Sequence, residues 1–225
     1  MHSIRNTLFS MPTSFQAAAV ILYFSMQAAA AAGDWPQILG PHRSGIADPD
    51  EQLADTWPAA GPQEVWRRPV GSGYAGVAVV DGKAFLFHRI DDQEITEALD
   101  AATGEGIWKT NHSTRFRPQV GGGDGPLCTP TVSNDKVITF GTQGMLTCLN
   151  AQTGKILWQH RTHEEFDAGE GYFGSGSSPL VIDNHVVVNV GGRTGAGVVP
   201  HQVRGYLAHM QVGSCARPQN PQAEA

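Results

Sequence analysis

The sequence predicts an all-β fold made of repeated, four-stranded antiparallel units, and three observations favour it. First, the segment A-L-D-A-A-T-G-E-G-I-W at residues 98–108 recurs as C-L-N-A-Q-T-G-K-I-L-W at residues 148–158, an offset of 50 residues. Second, 27 of the 225 residues are glycine, well above the usual ~7%, which indicates many tight turns. Third, short runs of Val, Ile, Leu and Phe bounded by Gly, Asn and Asp occur throughout the chain, whereas the long amphipathic patterns typical of helices are scarce. A sequence repeat with an offset of 50 residues is typical of repeat architectures, in which each unit buries its apolar face against a neighbour.

The second copy shows the order of strands within one unit. Residues 129–133 are a predicted first strand, Asn134 and Asp135 a tight hairpin turn, and residues 136–141 a second strand. The segment M-L-T-C-L-N supplies a third strand, and after the turn A-Q-T-G the segment K-I-L-W-Q-H supplies the fourth. Four short antiparallel strands in a repeat of this length predict a β-propeller blade.

Three partial copies follow one another along the chain. Equivalent residues of the second and third copies, such as Gly125 and Gly174, are 49 residues apart. The first copy carries three extra residues, which we place in an inserted polar hairpin loop at residues 89–96. The fold class is therefore a partial β-propeller of about two to three blades, and the blade boundaries are 71–110, 125–160 and 171–199.

The N-terminus has the features of a secretory signal peptide, predicted for residues 1–32. A basic residue precedes an alanine-rich apolar stretch at residues 17–32, in which Ala30 and Ala32 fit the small-x-small rule for cleavage. An uncleaved anchor helix is the alternative, although the stretch is shorter than the about 20 strongly apolar residues that span a bilayer. We expect an exported protein of the periplasm or cell envelope, with residues 33–70 leading into the blades.

The three cysteines, Cys128, Cys148 and Cys215, do not fit a disulfide scaffold because their number is odd. In the predicted strand order, one strand separates Cys128 from Cys148. Two inter-strand spacings amount to ~9.5 Å, which exceeds the Cα separation that a disulfide tolerates. We therefore expect buried thiols.

The recurring segment also resembles a known family. Ala98, Asp100, Thr103, Gly104 and Trp108 fit the pattern A-x-D-x-x-T-G-x-x-x-W. This pattern is similar to the tryptophan-docking repeat of the pyrroloquinoline-quinone (PQQ)-like β-propellers, the quinoprotein dehydrogenase-like superfamily. The resemblance implies a propeller whose blades are joined through this motif.

The second copy keeps the pattern at Thr153, Gly154 and Trp158 and departs from it at two positions. Cys148 replaces the alanine, and Asn150 replaces the aspartate. Cysteine is small and apolar enough for the first position, and asparagine makes many of the turn hydrogen bonds of aspartate. Both copies are therefore expected to form the same turn.

The residue types of this motif can be explained physically without reference to the family. Asp100 or Asn150 opens a turn, and Gly104 or Gly154 supplies the positive φ that the turn needs. The tryptophan that follows lies across a blade boundary, where its burial removes on the order of 200 Å² from water. Trp66, in E-V-W-R-R-P-V-G, is a candidate for the same role in another blade. We interpret these tryptophans as structural rather than cofactor-binding.

The segment H-R-T-H-E-E-F-D is the densest set of possible metal ligands. His160, His163, Glu164 and Asp167 are its candidates for a metal site. The alternative, which we favour, is an inter-blade loop with solvated side chains, because the spacing is irregular and no second ligand cluster accompanies it. No metal is therefore expected.

Three further polar segments are also predicted to be structural. Asp91, Asp92 and Glu94 belong to the inserted loop, where solvation explains them. The glycine-rich run at residues 121–125 precedes a strand instead of the helix that a phosphate loop needs. The serines at residues 175–178 have no histidine or acid that the sequence places beside them. No catalytic or cofactor-binding residue is nominated.

The family resemblance, which covers about residues 34–199, also implies what a PQQ enzyme would require. Such an enzyme has a calcium-binding set, a catalytic aspartate, an arginine near the quinone and usually a vicinal disulfide. The sequence nominates none of these, and no two cysteines are adjacent. A ring of seven or eight blades needs about 300 to 400 residues, whereas fewer than 200 follow the predicted signal peptide.

The C-terminal segment departs from the repeat. The pattern ends at Val199, and residues 200–225 are predicted to be an irregular tail. We expect a truncated or frameshifted member of a longer family, and a natural short form that assembles into a ring is the alternative.

We expect an exported, non-catalytic scaffold or protein-interaction module of the cell envelope, similar in class to the propeller of the outer-membrane β-barrel assembly machinery. Its partners would be proteins bound through blade edges and loops, with self-association as a further expectation, and no cofactor is expected. The alternative is a truncated quinoprotein alcohol or polyvinyl-alcohol dehydrogenase that uses PQQ and Ca²⁺. A net charge of −6 without a basic stripe argues against nucleic acid, and membrane contact is expected only through an uncleaved signal anchor.

Overall fold

The computed structural model describes residues 33–49, 51, 55–182 and 185–191 with their side chains, and residues 207–211 as backbone. The predicted signal peptide at residues 1–32 lies outside this part of the chain. Three antiparallel sheets and one single-turn helix make up the regular structure described. The prediction of an all-β fold is confirmed.

Within the described residues, no helix is long and apolar enough to span a bilayer.

Sheet 1 is a meander with the strand order β1-β2-β3-β4. Asp81 and Gly82 join the first two strands with φ angles of 50° and 68°. These left-handed values are those that a two-residue type I′ hairpin requires. The strands are β1 (Ala78–Val80), β2 (Lys83–Ile90), β3 (Gln93–Asp100) and β4 (Gly106–Ser113).

Sheet 2 repeats this meander, and each of its strands lies within two residues of the strand that the sequence predicts. Asn134 and Asp135 form the predicted hairpin turn, with φ angles of 49° and 57°. The strands are β5 (Thr131–Ser133), β6 (Lys136–Phe140), β7 (Met145–Asn150) and β8 (Ile156–Arg161), and helix α1 (Thr162–Glu165) follows them.

Sheet 3 has three strands among the described residues, in the order β11-β10-β9. They are β9 (Leu180–Ile182), β10 (His185–Asn189) and β11 (Leu207–Gln211). The irregular tail predicted for residues 200–225 is therefore wrong at β11, which pairs with β10 over five residue pairs. Backbone pairing along the edge of β10 forms this strand without the repeat motif.

The inserted loop predicted at residues 89–96 is also wrong. Strands β2 and β3 have eight residues each, whereas their equivalents β6 and β7 have five and six. Only Asp91 and Asp92 lie outside the strands, so the extra residues lengthen the hairpin. Arg89, Glu94 and Ile95 are 3% exposed or less, and this burial accounts for the longer strands.

The apolar core lies between the sheets. One cluster joins sheets 1 and 2 and consists of Ala78, Phe85, Ala98, Val132, Val137, Leu149 and Ala151. The other joins sheets 2 and 3, with one phenylalanine from sheet 1, and consists of Phe87, Cys128, Ile138, Phe140, Leu146, Cys148, Val186, Val188 and Val190. Each sheet thus buries its apolar side chains against the next, as a stacked repeat must.

Two tryptophans, Trp66 and Trp108, each dock on the turn between the third and fourth strands of the sheet that follows them. Trp108 on β4 donates from Nε1 to the carbonyl oxygen of Ala151 at 2.9 Å. Trp66 donates in the same way to Ala101, also at 2.9 Å. A Cβ at Gly154 would lie 2.5 Å from the Trp108 indole, so this glycine is required by the close approach as well as by its φ of 68°.

The two turns that receive these indoles have the same hydrogen bonds. Asp100 Oδ1 accepts from the Thr103 amide at 2.8 Å and from its hydroxyl at 3.0 Å. Asn150 Oδ1 accepts from the corresponding groups of Thr153, both at 2.9 Å. Hydrogen bonds from the Thr103 backbone and side chain hold the pKa of Asp100 below its ordinary value. Asparagine thus replaces aspartate without loss of these contacts.

A small residue lies opposite the indole in each sheet. Ala98 on β3 is the cross-strand partner of Trp108, and Cys148 on β7 is the partner of Trp158. Ala98 and Cys148 are completely buried. These positions accept small residues because they lie under a large aromatic neighbour.

The N-terminal segment at residues 34–45 crosses one edge of all three sheets. Trp35 forms a bridge with β1, and the Pro36 carbonyl oxygen accepts from the backbone of β5 at 2.7 Å. Arg43 Nη1 donates to the Pro179 carbonyl oxygen, next to β9, at 3.1 Å. This segment therefore covers the edge of the sheets at their first strands.

We predict that Trp108→Ala lowers the free energy of unfolding by about 3 kcal/mol, because it removes a large side chain from the boundary between sheets. Urea unfolding followed by circular dichroism measures the change. Trp57→Ala is the matched control, since Trp57 is 64% exposed and its loss should change stability by less than about 0.5 kcal/mol. Equal midpoints for the two variants would contradict the docking role of Trp108.

Candidate functional site at the loop face

The turns and connections at one end of sheets 1 and 2 carry buried charged side chains and exposed aromatic side chains. We call this end the loop face, and it comprises the β2–β3 turn, the β6–β7 turn at residues 141–144, and the connections at residues 114–130 and 166–179. Hydrogen bonds join these segments, for example from the Thr114 hydroxyl to Gln143 Oε1 at 3.1 Å. The loop face is therefore one continuous surface built from two sheets.

Arg89 is a buried cation that organises this face. It is 1% exposed, and its guanidinium donates to the carbonyl oxygens of Phe116 at 2.9 Å and Asp124 at 2.8 Å. It also pairs with Asp92 at 3.2 Å, and Asp92 pairs with Arg117 at 2.8 Å. A buried charge is tolerated only when it is paired and hydrogen-bonded, and both conditions are met here.

Glu94 is the buried anion that joins sheet 1 to sheet 2. The sequence predicted a solvated side chain, which is wrong because Glu94 is 1% exposed. It accepts from the amide of Thr142 at 2.9 Å and from its hydroxyl at 2.6 Å, and it contacts His112 Nε2 at 2.9 Å. Burial acts to raise the pKa of Glu94, but the hydrogen bonds from His112 and Thr142 outweigh it, so the pKa is lowered. Glu94 therefore remains an anion between the sheets.

A second buried carboxylate, Glu97, attaches Arg68 to sheet 1. Glu97 pairs with Arg68 at 3.0 Å and with His88 Nε2 at 3.2 Å. The Gly71 amide donates to His88 Nδ1 at 3.1 Å, which assigns the imidazole proton to Nε2. Burial, partly offset by Glu97, lowers the pKa of His88 and favours this neutral form.

The structure brings a histidine and a serine together that the sequence did not connect. His163 Nε2 lies 2.8 Å from Ser175 Oγ, and both residues are 8% exposed. His163 Nδ1 is buried and has no hydrogen-bond partner among the described residues. His163 Nδ1 lacks the acid that orients the histidine of a Ser-His-Asp triad, and both side chains are largely buried.

The other metal-site candidates point to separate partners. His160 Nδ1 lies 3.1 Å from Glu165, and Glu164 pairs with Arg161 at 3.1 Å. Asp167 follows α1 with a φ of 49°, in the left-handed region. Within the described part of the chain, no three acidic, histidine or cysteine side chains converge as metal ligands.

Of the cysteines, Cys128 is completely buried, and its Sγ accepts from the Phe140 amide at 3.2 Å. Burial raises the pKa of its thiol to about 12, so it is unreactive at neutral pH. Cys148 is also completely buried. Cys215 lies outside the described residues.

Exposed aromatic side chains border a cleft on the loop face. Tyr74 is 62% exposed and Phe173 is 59% exposed. They line a cleft of about 230 Å³ with Leu127 and the glycines at residues 121–123. The Gly123 amide donates to the Tyr74 hydroxyl at 2.8 Å, which fixes the tyrosine at the rim. The cleft offers aromatic surface and accessible backbone, which suits binding of a protein segment.

We predict that His163 makes the protein less stable in mild acid. Burial lowers the pKa of His163 below its ordinary value, although Glu170 acts to raise it. The unfolded chain therefore binds a proton that the folded chain does not, and stability falls as the pH drops from about 6.5 towards the folded pKa, by at most about 1.4 kcal/mol per pH unit.

Urea unfolding at a series of pH values tests this prediction against His163→Gln, which removes the titrating group. The variant should lose less stability between neutral and mildly acidic pH than the parent protein. Parallel losses in the two proteins would contradict a buried neutral His163.

Comparisons with known proteins agree with a fold of repeated β-propeller blades. Residues 91–201 match the family model PQQ_2, described as "Outer membrane protein assembly factor BamB". The outer membrane protein assembly factor BamB of Shewanella oneidensis is 28% identical over 151 residues, which cover 63% of this chain and 35% of the relative. The chain therefore spans about a third of the length of this relative.

A solved structure shares the fold. The quinohemoprotein alcohol dehydrogenase from Comamonas testosteroni matches 80% of this chain and 26% of its own, with a TM-score of 0.54 and 23% identity. At this identity the match concerns the fold alone. Together with the repeated docking motif and the meandering sheets, these findings support a PQQ-like β-propeller repeat protein.

Proposed function

We propose that the chain is an exported, non-catalytic propeller module that binds proteins in the cell envelope and serves outer-membrane protein assembly. The matches to BamB over the blades support this role. The observation that carries the proposal is the cleft between Tyr74 and Phe173 on the loop face. Aromatic residues are enriched where proteins bind proteins, because they bury a large area at small entropic cost.

The titratable groups of the loop face also favour binding over catalysis. Arg89 and Glu94 are buried in hydrogen bonds that join the segments of this face. His163 is buried against Ser175, and it is not available to a substrate. The aromatic cleft and the glycine backbone beside it remain open to a partner. An extended segment of a client or assembly protein suits such a surface.

The alternative is a quinoprotein dehydrogenase that binds PQQ and Ca²⁺. Such a protein would place carboxylates around the metal and an arginine near the quinone. Here Arg89 is enclosed by backbone carbonyl oxygens, and Glu94 is enclosed by His112 and Thr142. The described residues therefore favour the binding role.

We predict that p-benzoylphenylalanine placed at Phe173 forms photo-cross-links in cells to a component of the outer-membrane protein assembly machinery, identified by mass spectrometry. Ile107 is the matched control, because it is 44% exposed but lies on β4, next to the turn at the opposite end of sheet 1. Cross-links should be strong from position 173 and weak from position 107.

Two outcomes would overturn the proposal. One is equal cross-linking from both positions, which would remove the special role of the cleft. The other is stoichiometric quinone absorbance with dye-linked alcohol oxidation after the purified protein is incubated with PQQ and Ca²⁺.

A further inference from the structure

Residues 168–175, which we call the clasped segment, are attached at both ends to His163. The Ala168 amide donates to the His163 carbonyl oxygen at 2.9 Å. At the other end, Ser175 Oγ lies 2.8 Å from His163 Nε2. The Ser175 amide also donates to the Thr142 carbonyl oxygen at 2.8 Å, which ties this end to the β6–β7 turn. One histidine thus holds the segment closed as a loop.

The imidazole of His163 is enclosed in a way that suits its neutral form. His163 is 8% exposed, and a Cβ at Gly144 would overlap its ring, so the ring packs directly on the backbone of the β6–β7 turn. Its Nδ1 is buried and has no hydrogen-bond partner among the described residues. The imidazolium carries a hydrogen on both nitrogens. Protonation therefore leaves Nδ1 as a buried donor without an acceptor, beside a buried charge, and both are unfavourable.

The charged groups near His163 do not compensate for such a charge. The β6–β7 turn and β7 carry no charged side chain. Asp167 and Glu170, in the connection after α1, are both exposed. Glu170 acts to raise the pKa of His163, but burial outweighs it, so the pKa is lowered. The other charged side chains of the neighbouring elements are engaged elsewhere: Glu164 with Arg161, Glu165 with His160, and Glu94 with His112 and Thr142.

The middle of the clasped segment, residues 169–173, is exposed. A Cβ at either of its two glycines would meet no atom within 4 Å, so packing does not fix the backbone there. Surface contacts hold this part, from the Gln119 amide to the Tyr172 carbonyl oxygen at 3.1 Å and from Gln143 to Glu170. Exposed backbone with few buried contacts opens at low free-energy cost. The attachment of the segment therefore depends on its two ends.

The clasped segment carries one wall of the aromatic cleft. Phe173 lines the cleft opposite Tyr74 and lies two residues before Ser175. It is 59% exposed, so the chain on either side of it, rather than packing around its ring, sets its position. Release of Ser175 from His163 therefore displaces Phe173 and widens the cleft.

We propose that His163 is a pH-sensitive clasp for the aromatic cleft, and that its protonation releases residues 168–175 and removes the wall formed by Phe173. This proposal rests on the proposed binding role of the cleft and adds its regulation. In the open form the ring is hydrated and titrates near its ordinary pKa of about 6.5, so the opening constant rises by up to about tenfold for each pH unit below that value. A protein segment bound against Phe173 is thus held at neutral pH and released in mild acid.

Hydrogen–deuterium exchange of the full chain, read by mass spectrometry at about pH 7.5 and about pH 5.5, tests the clasp on either side of the ordinary histidine pKa. Protection factors remove the intrinsic pH dependence of exchange. Peptides over residues 168–175 should lose protection by up to about tenfold in acid relative to β6 and β7. His163→Gln, which is uncharged at both pH values, should show no such loss. His160→Gln is the matched control and should behave as the parent, because His160 contacts Glu165 outside the clasped segment.

Two results of this experiment would overturn the proposal. One is an equal acid-dependent loss of protection in the parent and in His163→Gln, and the other is no loss in either protein. Should His163→Gln fail to fold, Ser175→Ala supplies the test, because it removes the hydroxyl that contacts His163. Residues 168–175 should then lose protection already at neutral pH, and unchanged protection would contradict the clasp.

Photo-cross-linking from position 173 separates the clasp from the binding role on which it rests. Cross-links that form at neutral pH and fall in mild acid in the parent, but not in His163→Gln, would support both. The absence of cross-links at neutral pH would contradict the binding role, and the exchange experiment then decides the clasp. Cross-linking that does not fall in mild acid would overturn the clasp alone.

Discussion

The structure depends on the burial of one sheet against the next. Among the described residues, both clusters of buried apolar side chains draw their members from more than one sheet. The docked indole fixes this packing at the β3–β4 and β7–β8 turns, where a glycine permits the approach and a carbonyl oxygen accepts the indole hydrogen. The repeated motif is thus the chemical means by which separate meanders become one fold.

Buried charges fix the opposite ends of the same sheets. Glu94 reaches across to Thr142, and Arg89 holds the connection that leads from sheet 1 to sheet 2. Breaking such a pair leaves an uncompensated charge in the interior, which costs more than the pair contributes. These charged groups are occupied internally, whereas the aromatic cleft of the loop face is open. This division of roles connects the packing of the sheets to the proposed binding function.

The sequence was sufficient for the features that depend on local pattern. Strands β5 to β8 and the turn at Asn134 follow from alternation and turn chemistry, and the structure has them within two residues. The burial of Glu94 could not be predicted, since its partner Thr142 is 48 residues away and an acidic run ordinarily indicates a solvated loop. Strand β11 was missed because it lacks the motif. The contact between His163 and Ser175 was missed because a loop brings them together.

The central claim is that the docked indole makes neighbouring sheets one cooperative unit. Hydrogen–deuterium exchange of Trp108→Ala, read by mass spectrometry, tests it most directly. If the claim is correct, exchange accelerates on both sides of the boundary, in β3 and β4 of sheet 1 and also in β6 and β7 of sheet 2. Acceleration confined to β4, with β6 and β7 protected as in the parent protein, would contradict it.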